Sequence, residues 1–351
     1  MSRTPVAVLI SDVHYNLQTL SLADAAMRHA ISAANALCVP LVVAGDLHDT
    51  KANLRGECVN AMLETFEALR HPAFILRGNH DSINERLIEH SLTFLNAESK
   101  NDDEEPVGLR VVVPKPWFYN GLGPINGKSV HLIPYHHDPD ELRKYLKKVD
   151  KGSAVIMHQG LSGSNMGEYV QDKSAIRPED VAGLRVISGH YHTRQTIQLP
   201  DGGVWDYVGN PFTLSWAEAN DPPKGFQVLY SDGSLEFVPT TLRKHVVVNL
   251  DMSLRDVDFN KVYAPGDLVK VRFRGPRAAL AKHDKESVAA LLGLTVPFQL
   301  DLIPTDATIQ LTDAQLNLSG AALLDSLIDS LPETTADRKT RLKGAWRGLC
   351  Y

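Results

Sequence analysis

The stretch Arg77-Gly78-Asn79-His80-Asp81 follows the apolar run Phe74-Ile75-Leu76 and sets an amide, an imidazole and a carboxylate side by side. A short apolar run reads as a buried strand, and the loop leaving such a strand is where α/β proteins place their chemistry. Working outward, the same form recurs. Asp12 and His14 follow Val6-Ala7-Val8-Leu9-Ile10, and Gly45-Asp46 follows Pro40-Leu41-Val42-Val43-Ala44. His158 follows Ala154-Val155-Ile156-Met157, and Gly189-His190-Tyr191-His192 follows Leu184 to Ser188. Between the early runs, Leu20 to Ala36 and Ala52 to Leu69 carry apolar residues at helical spacing. The chain therefore opens as βαβαβ, an α/β arrangement of parallel strands covered by helices. Ser82-Ile83-Asn84-Glu85 has capping-box form and predicts a helix directly after Asp81.

Farther along, the acidic run Asn101 to Glu105 reads as a surface loop, Leu109–Val113 and Ser129–Ile133 as strands, and Asp138 to Lys148 as a helix. Gly160 to Gly183 is long, polar and aperiodic, which in a compact domain points to a functional or mobile loop. From Leu184 to Val238 the spacing of turns predicts antiparallel pairing. After Thr240, strands at Val246–Leu250, Leu268–Phe273 and Phe298–Ile303 with a helix at Lys282–Leu292 form a separate β-α-β unit. Helices are expected at Leu311–Leu316, Gly320–Ser330 and Arg338–Gly348. The reading divides the chain into a catalytic domain over 1–240, a small domain over 241–305 and a helical segment over 306–351.

With 351 residues, 43% hydrophobic and 22% charged, the composition suits a soluble protein of two or three domains and not a fibrous, disordered or membrane-spanning chain. The N-terminus lacks a signal-like apolar core, so a cytoplasmic location is expected. A net charge of -6 gives no basic field for nucleic acid. Bound divalent cations would add local positive charge that this count omits. Cys38, Cys58 and Cys350 are odd in number and far apart, which argues against a disulfide framework. They read as small buried apolar residues plus one C-terminal thiol.

Carboxylate, amide and imidazole donors without thiolate suit manganese, iron or zinc. In extended backbone, residues i and i+2 point the same way, so Asp12 with His14, and His190 with His192, would each present a pair to one cavity. Gly45, Gly78 and Gly189 would allow a sharp exit from each strand. Taken singly, each motif has a plainer reading: Asp-x-His as a surface loop, Gly-Asn-His-Asp as a turn with a helix cap. Their joint occurrence, each at the end of a strand, is what points to a metal site.

The series Asp-x-His, Gly-Asp, Gly-Asn-His-Asp, His and Gly-His-x-His resembles the calcineurin-like metallophosphoesterases. The resemblance implies a four-layer α-β-β-α sandwich of a parallel or mixed sheet and an antiparallel sheet, with a small α+β capping domain and a helical C-terminus. It implies two divalent metal ions, one on Asp12, His14, Asp46 and His192, the other on Asp46, Asn79, His158 and His190. Manganese is the first expectation, with iron, zinc or magnesium as alternatives. Two cations about 3.5 to 4 Å apart turn a shared water into hydroxide and neutralise phosphoryl oxygens. His80, bound to no metal, is then the candidate general acid for the leaving oxygen, and Asp81 either orients it or caps the helix.

Tyr207-Val208-Gly209-Asn210-Pro211-Phe212, Trp216-Ala217-Glu218 and Lys224-Gly225-Phe226 resemble the end of the catalytic domain in DNA-repair nucleases of the SbcD type. This second resemblance implies DNA as substrate and an SbcC-like ATPase docked on the helical tail, and leaves a homodimer as an open option. Those nucleases place a histidine three residues beyond the bridging aspartate. Here Asp49 stands in that place and His48 is one position early, so His48 is either a substrate contact or a histidine behind the site or on the surface. Lys270, Arg272 and Arg274 alternate with Val269, Val271 and Phe273, giving one cationic strand face that suits DNA phosphates or plain solvent. His136 and His137 read as surface residues. The alternatives are a phosphodiesterase or phosphatase for small molecules such as cyclic nucleotides, and a scaffold that has lost catalysis. The latter predicts a missing ligand or a missing His80, and none is missing.

Overall fold

In the computed structural model, which describes residues 3–51, 53–84, 89–95, 109–112, 117–119, 122–167, 170–171, 176–252, 263–306, 325–329, 331 and 335–348, apolar alternation decides the layers. Along β1 (Pro5–Ile10), Val8 and Ile10 enter one core cluster while Ala7 and Leu9 enter another, and all four are fully buried. β2 (Leu41–Val43) and β3 (Ala73–Leu76) divide the same way, Leu41, Val43, Ala73 and Ile75 to the first cluster and Val42, Phe74 and Leu76 to the second. Strands buried on both faces read as unbroken apolar runs, as these do. The first face is covered by α1 (Leu20–Leu37) and α2 (Gly56–Phe66), whose Ala23, Met27, Ala30, Ile31, Met62 and Phe66 recur at helical spacing. Cys58 is buried in α2, whereas Cys38, in the left-handed turn that ends α1, is exposed and not the buried residue expected. Cys350 lies outside the described residues.

The first sheet runs β14-β13-β1-β2-β3-β4, with β4 at Leu109–Val112, β13 at Gly225–Tyr230 and β14 at Leu235–Pro239. β1 to β4 are parallel, with Val8 opposite Leu41 and Leu41 opposite Ala73, and β13 pairs antiparallel with β1 and β14. The second sheet runs β11-β12-β10-β7-β6-β5, from β5 (Trp117–Tyr119), β6 (Val130–Ile133), β7 (Ala154–His158), β10 (Arg185–Gly189), β11 (Gln195–Gln198) and β12 (Val204–Tyr207). It too is mixed: of the strands expected to pair antiparallel from Leu184 onward, β11 with β12 and β13 with β14 do so, whereas β10 runs parallel to both its neighbours. β6, β7, β10 and β12 are parallel, and only the edge strands β5 and β11 run the other way. The reason lies in the connections. α3 (Pro139–Leu146) carries the chain from β6 to β7, and the long segment containing the hairpin β8 (Asn165–Gly167) and β9 (Val170–Gln171) carries it from β7 to β10. Crossovers of that length return the chain to the same sheet end.

Leu132, Ala154, Ile156 and Ile187 of the second sheet meet Leu9, Val42 and Phe74 of the first. Its outer face, with Ile133, Val155, Met157 and Val186, is covered by Leu142 and Leu146 of α3. The layers are therefore helix, sheet, sheet, helix, as expected. β1, β2, β3, β7 and β10 end at a common edge, and their following loops meet there.

The helix expected at Ser82 does not form. Ser82 bridges His90 in antiparallel fashion, the Ile83 N–H donates to Glu89 O, and the Ser91 N–H donates to Asp81 O. The Ser82 hydroxyl is committed to Gly78 O at 2.8 Å, so it caps nothing, and Leu92 and Leu95 draw the returning chain into the core. Glu85 lies outside the described residues.

The chain falls into two compact units, one drawn from Met1–Val247, Lys261–Lys270 and Val296–Phe298, the other from Val248–Asn260, Val271–Thr295 and Gln299–Tyr351. A three-stranded sheet has the order β15 (His245–Asp251), β16 (Leu268–Gly275), β17 (Phe298–Pro304). The second unit holds α4 (Arg277–Leu280), α5 (Lys285–Leu292), which Asp284 caps by accepting from the Ser287 N–H, and α6 (Ala336–Gly348). Residues 325–329 are helical, while the helix expected at Leu311–Leu316 lies outside the described residues. Among the described residues no helix is long and apolar enough to cross a membrane.

Candidate metal centre

Backbone strain gathers where the strands end. Asp12, His14, Asp46 and His190 have φ of 52°, 50°, 49° and 93°, in the left-handed region that costs a residue with a side chain about 1 kcal/mol or more. Cross-loop hydrogen bonds hold the first three: the Asp12 N–H donates to Gly45 O and the His14 N–H to Asp46 O, each at 3.1 Å. Asp12 and His14 thus reach one cavity through left-handed bends and not through the pleat expected of extended backbone. The glycines also act differently from the expectation. Gly45 alone of the three has positive φ, at 93°. At Gly78 an added Cβ would lie 2.0 Å from Asp46 Oδ1, and at Gly189 it would lie 2.0 Å from Ser11 Oγ. Those two positions need glycine for close approach of neighbouring loops.

Three of the imidazoles have an acceptor behind them. His158 Nδ1 donates to Ala44 O at 2.7 Å, which leaves Nε2 facing Asp46 Oδ2 at 3.2 Å and Asn79 Oδ1 at 3.1 Å. His192 Nδ1 lies 2.8 Å from Glu218 Oε1, and His14 Nδ1 lies 3.2 Å from Asp49 Oδ1. The Nε2 atoms of His14 and His192 then face each other at 3.2 Å. His190 Nδ1 is 2.9 Å from Asn79 Oδ1, and the His190 N–H donates to both oxygens of Asp12 at 3.2 Å. With the Nδ1 atoms of His158 and His192 committed to acceptors and that of His14 beside the Asp49 carboxylate, the three imidazoles aim Nε2 into a space also faced by buried carboxylates, and a cation suits such a set of ligand atoms. Ligand atoms of Asp12, His14 and His192 lie within 4.8 Å of one another, as do those of Asp12, Asp46 and His158.

The electrostatics agree. Burial alone would raise the Asp46 carboxyl, but His158, His14 and His80 outweigh it and hold Asp46 well below the usual carboxylate range. Burial would lower His158, yet Asp46 raises it to about 9. Glu218, which burial would raise, is held at about 2 by the hydrogen bond to His192 and by Lys224.

His80 lies beside this cluster, with a ligand atom within 4.8 Å of those of His14 and Asp46. Its Nδ1 donates to the main-chain Asp49 O at 2.9 Å, its ring meets that of His14 edge-on at 4.8 Å between centroids, and its side chain is 40% exposed. It lines a cavity of 480 Å³ with Asp46, Asn79, His190, His192 and Glu218. Asp81 does not orient it. Fully buried, the Asp81 carboxylate accepts from the Gly78 N–H at 2.8 Å and the His48 N–H at 2.9 Å, tying together the two loops that carry Asn79 and Asp46. Burial raises Asp81 to about 6. The hold on His80 comes from Asp49 instead.

His48 is 1% exposed, too buried for the substrate contact considered for it, because its neighbours Leu47 and Tyr15 draw that loop into the core. His136 is likewise buried, its main-chain N–H on Gln159 Oε1, while His137 is exposed. On β16, Val269, Val271 and Phe273 are buried, Lys270 and Arg272 half-buried and Arg274 exposed, so the expected alternation is present. The Lys270 ammonium lies 4.5 Å from the Trp216 ring centroid. The sequence reading gave no role to Asp49, Glu218 or Lys224. Glu218 and Lys224 stand in a stretch singled out for its resemblance, but nothing in the order of residues ties them to His192.

Residues 6–194 match the family model Metallophos, calcineurin-like phosphoesterase. No curated protein matches this chain. Among solved structures, the chain is similar to an archaeal phosphodiesterase at 14% identity, covering 68% of this chain and 100% of that one with a TM-score of 0.36. It is also similar to a dimetal phosphatase from Danio rerio at 12% identity, covering 64% and 93% with a TM-score of 0.40.

Proposed function

The chain belongs to the calcineurin-like phosphoesterase family and is a metal-dependent hydrolase, and from that premise we propose that it is a two-metal DNA phosphodiesterase of the SbcD kind. The observation that carries the chemistry is the convergence of Asp12, His14, Asp46, Asn79, His158, His190 and His192 from five strand ends, with His80 tethered outside them. His14 and His192 with Asp12 would hold one ion, Asn79, His158 and His190 the other, with Asp46 between. The oxygen and imidazole donors suit manganese. When bound, such ions supply a nucleophile from water and offset charge on the phosphoryl oxygens. His80 then gives its Nε2 proton to the leaving oxygen and keeps Nδ1–H on the Asp49 carbonyl, so the ring stays aimed as its charge changes.

What supports DNA is β16, whose Lys270, Arg272 and Arg274 share the face opposite its buried residues. In this reading 241–305 is a capping domain and 306–351 docks an SbcC-like ATPase. A second reading, hydrolysis of a small phosphodiester, is favoured by the 480 Å³ cavity, a size that suits a small ligand. Linear duplex and single-stranded DNA, bis-p-nitrophenyl phosphate and cyclic AMP, each with Mn2+ and wild type or His80→Ala, separate the two. DNA hydrolysis lost in the variant is expected. Turnover of cyclic AMP with DNA untouched would overturn the DNA reading.

A further inference from the structure

The segment that follows the matched residues 6–194 reaches back to hold one of the candidate ligands at two points. Glu218 sits in the turn Trp216–Glu218, and its carboxylate is surrounded: Oε1 faces His192 Nδ1 at 2.8 Å, while Oε2 accepts from Asn210 Nδ2 at 2.9 Å and the Leu214 N–H at 3.0 Å. Lys224 Nζ lies 3.4 Å from the same Oε2 and donates to the His192 main-chain O at 2.9 Å. Asp221 Oδ2 accepts from Lys224 Nζ at 2.6 Å and from Thr193 Oγ1 at 2.9 Å. The ring and the backbone of His192 are thus both fastened to residues 210–224. Lys224 is half-buried and Glu218 buried, so the contacts are shielded from the solvent that weakens surface ion pairs.

The two halves of the site are backed differently. His192 and His14 have carboxylates behind them, Glu218 and Asp49, whereas His158 has the neutral Ala44 carbonyl. A carboxylate behind an imidazole fixes its tautomer and strengthens Nε2 as a donor. We propose that Glu218, with Lys224 and Asp221, is a positioning clamp that sets the strength of the His14–His192 metal position independently of the other. The clamp rests on the two-metal reading given above. Glu218 lies outside the matched segment, so the turn after β12 governs a ligand that the matched segment itself supplies.

The test is Mn2+ titration of the full chain by calorimetry, with electron paramagnetic resonance to distinguish paired from isolated ions, on wild type and Glu218→Gln. Wild type is expected to bind two ions with a paired signal. Glu218→Gln should keep one ion at unchanged affinity, lose about tenfold or more at the other and show an isolated-ion signal. A purely structural role would weaken both positions together with the melting temperature. Should Glu218→Gln fail to fold, Asp221→Asn, which loosens Lys224 without touching Glu218, carries the same test with a smaller selective loss. Unchanged affinity at both positions in a folded variant would overturn the clamp alone. A wild type that takes up no Mn2+ would overturn the two-metal reading and the clamp with it.

Discussion

His80 Nδ1 donates to a main-chain acceptor, and Asp49 O will accept whatever side chain residue 49 carries. Removing the imidazole should therefore cost chemistry without disturbing the ligands behind it. His80→Ala is expected to lower kcat on DNA by about 10²- to 10⁴-fold while Mn2+ affinity by calorimetry stays at the wild-type value. A parallel fall in metal affinity would show that His80 is a ligand. Gly78 makes the opposite case. Its φ lies outside the left-handed region, so alanine strains no torsion, but the added Cβ would meet Asp46 Oδ1 at 2.0 Å. Gly78→Ala should lose both metal and activity. Gly56→Ala, where a Cβ meets nothing within 4 Å, should leave both unchanged. An active Gly78→Ala would mean that the loops after β2 and β3 separate at little cost.

At the scale of elements, β16 divides its residues cleanly between core and outer face. If its cations neutralise phosphates, replacing Lys270, Arg272 and Arg274 with glutamine should raise KM for duplex DNA. The salt dependence of binding should flatten by about 0.9 for each phosphate no longer neutralised, with bis-p-nitrophenyl phosphate turnover unchanged. An unaltered salt slope would return the strand to a solvated face. The alternation was legible in the sequence because period-2 burial depends on neighbours along the chain, and the strand ends carrying Asp12, Asp46, Asn79, His158 and His190 were legible because an unbroken apolar run is likewise a local signal. What escaped depended on partners distant in sequence. Ser82 looks like a cap only until Gly78 O takes its hydroxyl, and Asp81 looks like a partner for His80 only until Gly78 and His48 supply two N–H donors. Glu218 gives no local sign that it lies behind His192. The direction of β10 was hidden in the residues between it and β7, whose polarity resembles that of a loop although they form a crossover.

For the molecule as a whole, ligand protonation couples fold stability, metal and pH. In metal-free protein the Asp46–His158 pair is held together at 3.2 Å as carboxylate and imidazolium, and His158 is raised from 6.5 to about 9. A group raised on folding binds its proton more tightly in the folded state. The stability it contributes is fully present below pH 6.5 and is lost as pH rises through about 9. Asp81, raised from 3.8 to about 6, acts with the same sign at lower pH, its contribution present below 3.8 and lost through about 6. A bound cation inverts the requirement, because His158 must shed the Nε2 proton to offer a lone pair. Apparent Mn2+ affinity should therefore rise with pH across the window in which metal-free protein loses stability, and the melting temperature gained on adding Mn2+ should widen from pH 6.5 toward 9. Calorimetric melts in EDTA and in saturating Mn2+ measure both trends at once. A metal-free melting temperature that stays flat over that window would mean that His158 is already neutral, with the Asp46 charge balanced by other groups.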